Sequence, residues 1–149
     1  MADPYLLGLL AALAVTLAAS VTDVRERRIS NGLIVVGLVA AAALATTSGR
    51  WPDALAGSGL GMGTLALPRF IARDSVGFGD IKLVGVVGMS AGVSGVLAVI
   101  GLAIAAAAVA LTVQIVRCRR TSERVIAFAP CLALGTAGHA AVALNSAVG

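Results

Sequence analysis

Long apolar runs separated by short polar clusters set the reading of this chain. The first run extends from about Tyr5 to Val21, is rich in Leu and Ala, and is closed by Thr22 and Asp23. A charged connector, Asp23 to Asn31, follows it. The second runs from about Gly32 to Thr47 and ends in a polar turn, Ser48-Gly49-Arg50-Trp51-Pro52-Asp53, where Trp51 suits an interfacial anchor. The third, about Ala54 to Phe70, carries Gly57, Gly59, Gly61 and Gly63. Small residues so spaced let helix backbones approach closely, which predicts a place in the middle of a bundle. The connector from Arg69 to Phe78 is polar, contains glycine, and is expected to be mobile. From Ile81 to Val116 a stretch of roughly 36 residues would make a helix about 54 Å long, too long for one crossing. Dividing it near Ser90-Ala91-Gly92-Val93-Ser94-Gly95 gives a short fourth and a long fifth run. Beyond the connector from Arg117 to Arg124, a sixth run extends from about Val125 to Val148.

Composition turns these runs into membrane spans. Of 149 residues, 59% are hydrophobic and only 12% charged, more apolar surface than a soluble domain of this size can bury. Backbone polar groups cannot stay unpaired in lipid, so the runs are expected to be helices. The fold class that follows is all-α: a polytopic integral membrane protein of six transmembrane helices, with residues 1–149 as one domain. The net charge of +4 and pI near 10.0 do not indicate nucleic acid, because the basic residues fall between runs and form no stripe. Cys118 and Cys131 make no CxxC pair and read as small apolar fillers, so neither metal nor cofactor is expected. Arg25, Arg27 and Arg28 follow the first apolar run rather than precede it, the wrong polarity for a cleaved signal peptide. The first helix is expected to stay as an anchor.

Charge placement gives the orientation. With six spans, the connectors bearing Arg25, Arg27 and Arg28, then Arg69 and Arg73 (with Lys82 just inside span four), then Arg117, Arg119, Arg120 and Arg124 share one side. Opposite them stands Arg50 alone, besides the N-terminal amine. The positive-inside rule puts the three basic connectors in the cytoplasm, both termini outside, and Asp23 and Asp80 at the cytoplasmic boundary of the inner membrane.

Those two aspartates are the candidate chemistry. A carboxylate at the rim of a spanning helix is costly to desolvate and marks a functional site by default. Asp80 stands in Gly77-Phe78-Gly79-Asp80-Ile81-Lys82-Leu83, where Gly77 and Gly79 permit backbone geometry closed to other residues and close approach of another chain. Two carboxylates held close share one proton, a state suited to peptide hydrolysis: the ionised partner takes a proton from water and the protonated one donates to the scissile carbonyl. The residues alone leave open a plainer account. Arg25, Arg27, Arg28 or Lys82 could neutralise interfacial charges, and an Asp at a helix start also suits the helix dipole.

At these positions the chain resembles the type IV prepilin peptidases, membrane aspartyl proteases of the GxGD type. Asp23-Val24-Arg25-Glu26-Arg27-Arg28-Ile29-Ser30-Asn31 is similar to their first motif, an Asp followed by a basic stretch and Ile-Pro-Asn. Gly77 to Leu83 is similar to their second, and Phe128-Ala129-Pro130 to a weaker third. The resemblance implies that Asp23 and Asp80 are catalytic. It also implies a partner: a pilin-like precursor whose short basic leader is cut on the cytoplasmic side, just before a hydrophobic helix. Ser30 stands where the family has proline, and no insertion with four zinc-binding cysteines is present. Proteolysis without methylation is therefore expected, as in the short preflagellin-type and Flp-pilus-type members.

Other polar positions carry smaller expectations. Lys82 either holds Asp80 ionised or snorkels to headgroups, Asn31 caps a helix at the connector, and Pro130 kinks span six near its cytoplasmic end. His139, in the apolar middle of span six, reads as an interhelical hydrogen bond. Two rival functions use the same fold. A proton-coupled carrier would place its ionisable groups near the midplane, often with internal repeats, and neither feature is seen. A non-catalytic pilus-assembly subunit need not keep both aspartates.

Overall fold

The computed structural model describes residues 4–26, 30–71, 77–117 and 128–148, and apart from caps and turns all of them are helical. The elements are α1 (Pro4–Glu26), α2 (Asn31–Ser48), α3 (Trp51–Ile71), α4 (Phe78–Arg117) and α5 (Phe128–Val148). Helix α1 runs three residues past its expected end at Asp23, since Val24, Arg25 and Glu26 include no Gly or Pro to stop it. Helix α2 stops at Gly49, whose φ of 64° closes a left-handed cap, and the Arg50 N–H returns to the Ala45 carbonyl at 3.1 Å. That cap turns the chain directly into α3.

Helix α4 is one element only in name. Gly92 has φ 71° and ψ −172°, inside the stretch 90–95 where the sequence divides the run. Gly61 on α3 faces both Val84 and Val96, which lie twelve residues apart and would be separated by about 18 Å on a straight helix. The chain therefore folds back at Gly92, and residues 78–91 and 93–117 form two antiparallel arms.

The first arm is the centre of the bundle. Leu83, Val84, Val86, Val87 and Met89 are all buried, and the arm packs against α1, α2 and α3. Helix α3, expected in the middle, is instead a flank that packs almost wholly on α4. Its glycines divide by helical period. A Cβ on Gly57 would collide with the backbone of Gly88, and one on Gly61 would lie 2.9 Å from Val84 Cγ1, whereas Gly59 and Gly63 face open space. The contacts at i and i+4 make the close-packed seam. On the other side, a Cβ on Gly135 of α5 would collide with the Val99 carbonyl of the second arm.

Among the described residues, four stretches are long and apolar enough to cross a membrane, Tyr5–Asp23, Asn31–Ser48, Phe78–Ala110 and Phe128–Ser146, which marks a membrane protein. Phe78–Ala110 contains the turn at Gly92, so it is two helical pieces rather than one span. Helix α3 is not among the four. Its glycines, with Asp53, Pro68 and Arg69, dilute its apolar residues below what the length alone would suggest.

Candidate active site

The antiparallel packing gathers chain ends at two poles. Val15 meets Gly37 across α1 and α2, Gly61 meets Val84 across α3 and α4, and Gly95 meets His139 across the second arm and α5. One pole therefore collects the end of α1, the start of α2, the end of α3, and the starts of α4 and α5. Asp23 and Asp80 are both at that pole.

Asp23 is half-buried in the last turn of α1, and Asp80 is half-buried in the first turn of α4. They are near enough that the charge of Asp23 acts on Asp80. The Asp80 backbone N–H donates to the Gly77 carbonyl at 3.1 Å, and the Gly77 N–H in turn serves the Asp80 carboxylate. A Cβ on residue 77 would come within 3.1 Å of Asp80 Oδ2, so a side chain there would crowd the carboxylate. Asp80 Oδ1 is buried and, among the described residues, has no hydrogen-bond partner. A buried carboxylate oxygen without a donor is costly, and such an atom is where a water or a reacting group fits.

The supporting residues are only partly where the sequence suggests. Lys82 does not pair with Asp80; its Nζ donates to Asn31 Oδ1 at 3.2 Å. Asn31 is accordingly no cap. Ser30 holds the N-cap position of α2, without a side-chain cap bond, and the Asn31 amide is committed across the gap to α4. Gly79 is half-buried beside Asp80. Pro130 is the third described residue of α5, and residues 118–127 before it, on which the expected kink depends, lie outside the described residues. Arg27, Arg28, Arg73, Cys118, Arg119, Arg120 and Arg124 lie outside the described residues, as does the side chain of Arg25.

An open apolar groove of about 520 Å³ is lined by Met62, Gly63, Ala66, Arg69, Phe70, Phe78 and Ile81, the last two from the stretch of α4 that carries Asp80. The Arg69 guanidinium, also in its lining, stacks 4.1 Å over the Phe78 ring.

The profile of the type IV leader peptidase family matches residues 10–112. The chain belongs to that family. The match takes in Asp23, Asn31, Gly77, Gly79, Asp80 and Lys82 and stops short of α5, so Pro130 and His139 lie outside it. Membership implies a type IV leader peptidase-like protease, with pilin-like substrates and a membrane setting. No curated protein and no solved structure matches the chain closely enough to add to this.

At the opposite pole stands a polar cluster that the sequence showed only as a turn. The Tyr5 hydroxyl and His139 Nε2 are hydrogen-bonded at 3.0 Å, joining α1 to α5 as expected of His139. The Arg50 guanidinium lies 4.7 Å over the Tyr5 ring and pairs with Asp53. Asp53 Oδ1 in turn accepts the Val93 N–H at 3.1 Å. The signal in the sequence was an acidic residue in the first turn of a helix, three positions after an arginine. Its partner on α4 could not be read there.

Proposed function

We propose that the chain is a membrane aspartyl endopeptidase that removes the basic leader from type IV pilin-like precursors, with Asp23 and Asp80 as a dyad. The observation that carries the reading is the buried, unpartnered Asp80 Oδ1 within reach of the Asp23 charge, at the pole where the glycine motif leaves room. In the cleavage step one proton sits between the two carboxylates. The ionised member removes a proton from water, the water oxygen attacks the scissile carbonyl carbon, and the protonated member donates to the carbonyl oxygen. Collapse of the tetrahedral intermediate returns a proton to the leaving amine. Gly77 and Gly79 let the substrate backbone approach, Lys82 and Asn31 hold α2 to α4 beside the dyad, and the groove at Phe78 receives apolar residues next to the cut. Pro130 supports the site from the end of α5 at the same pole.

The same reading counts six membrane crossings, the two arms of α4 being separate spans, in a single domain over 1–149. The basic connectors and the dyad then face the cytoplasm, the termini face outward, and the protein resides in the cytoplasmic membrane.

Asp23→Asn and Asp80→Asn keep side-chain size and remove the charge. Each is expected to abolish precursor processing in membranes while leaving the protein inserted. Processing retained by either variant overturns the dyad, and precursor binding without cleavage by the unaltered chain identifies an assembly subunit instead.

A further inference from the structure

The far pole has a consequence for the active pole. At Gly92 the chain reverses, and the second arm of α4 begins with backbone N–H groups that have no carbonyl one turn earlier to receive them. In an apolar setting such a break stands only where another group satisfies it. Asp53 does so from a different helix: its Oδ1 accepts the Val93 N–H at 3.1 Å. Its negative charge also faces the positive end of that arm's dipole. The other oxygen is taken by Arg50, whose guanidinium is stacked on Tyr5, which is bonded to His139. Gly92 cannot be replaced without loss on two counts, because its φ is 71° and a Cβ there would collide with the Asp53 carboxylate. Beside it the backbones of Gly57 and Gly88 are in direct contact, so α3 and the first arm have no slack between them.

We propose that Asp53 is a positioning residue for Asp80. It pins the turn at Gly92 and so sets the angle between the arms of α4. The first arm is a rigid lever from that turn to Asp80, twelve residues or about 18 Å away. A tilt of a few degrees at the pin becomes a displacement on the order of 1 Å at the carboxylate, enough to separate it from a partner on α1. The effect on cleavage rests on the dyad reading above; the effect on the arm angle does not.

The test uses the full chain in membranes with Cys118→Ser and Cys131→Ala, and spin labels on Phe78→Cys and Ile104→Cys, exposed positions on the two arms. Asp53 is then left intact or changed to Ala or Asn. Asp53→Ala is expected to lengthen and broaden the distance between labels. Asp53→Asn, whose amide oxygen still accepts from the Val93 N–H, is expected to keep it close to the original. In the unlabelled chain, Asp53→Ala is expected to lower kcat for precursor cleavage on the order of 10- to 100-fold with KM little changed, and Asn to restore most of the loss. An unaltered distance in Asp53→Ala overturns the pin. So does an Asn variant as disturbed as Ala, whereas a shifted distance with full kcat overturns the positioning of Asp80. If the unaltered chain cleaves no precursor, the distances still decide the pin and only the functional reading fails.

Discussion

Lys82 on α4 reaches across to Asn31 on α2, and the contact lies two residues beyond Asp80. The bond is exposed, so it contributes less than the about 1.5–3 kcal/mol that a hydrogen bond to a charged group can supply. Its value is in holding α2 against the start of α4. Asn31→Ala and Lys82→Ala are each expected to lower cleavage several-fold. The double variant is expected to lose little more than either single one, because both changes break one contact. Independent, multiplying losses in kcat/KM would show that the two residues act separately.

The glycine seam gives a sharper contrast. Gly57→Ala places a methyl group against the Gly88 backbone, which cannot move aside as a side chain does. A loss of about 1–3 kcal/mol is expected, the usual range for overpacking. Gly59→Ala, two residues along the same helix, meets nothing within 4 Å. It is expected to be neutral or to stabilise α3 by about 0.5–1 kcal/mol through helix propensity. Thermal unfolding of the two variants in detergent would order them, and equal Tm values would remove the seam from the account.

How much of this was legible in the chain depends on whether a feature is local. Apolar runs, the cap at Gly49 and the break within 90–95 follow from hydropathy and glycine, which act on their own neighbourhood. The glycines of α3 were legible as close packing, but four at alternate positions cannot all face one neighbour when the helix turns every 3.6 residues. Only Gly57 and Gly61 do, and α3 accordingly flanks the bundle instead of filling it. The centre fell to residues 83–89, whose burial on every side shows in the sequence as an apolar run like any other. Partners across helices were the hidden part. Lys82 had Asp80 two residues away and took Asn31, fifty-one residues distant. Asp53 read as one polar residue in a turn because its acceptor role depends on how α3 lies against Gly92.

The Tyr5–His139 bond separates structure from chemistry. His139 sits at the pole opposite Asp80, and Tyr5 is about 27 Å along α1 from Asp23. Tyr5→Phe removes the hydroxyl and leaves a half-buried imidazole nitrogen unpaired. A loss of about 1–2 kcal/mol in stability is expected, with kcat unchanged once the folded fraction is accounted for. A variant that is stable yet inactive would give His139 a part in the reaction.

The pH dependence distinguishes the two poles. The Val93 N–H, and then Arg50, hold the Asp53 carboxyl below its ordinary value of 3.8. A depressed carboxyl contributes stability that is present above its unfolded value and lost as pH falls through the folded one. The pin at Gly92 is therefore charged throughout pH 5–8 and weakens only in stronger acid. Among the described residues, the other ionisable groups facing it are Arg50 and Tyr5 with its partner His139. A dyad that works with one shared proton gives a bell-shaped rate profile, since both the doubly protonated and the doubly ionised forms are inactive. Asp53→Asn is accordingly expected to lower the kcat profile only slightly between pH 5 and 8 and to leave its limbs in place, and His139→Gln, once the folded fraction is accounted for, to leave both height and limbs unchanged. Movement of either limb in Asp53→Asn would mean that the far pole, not the carboxylates at 23 and 80, carries the titration.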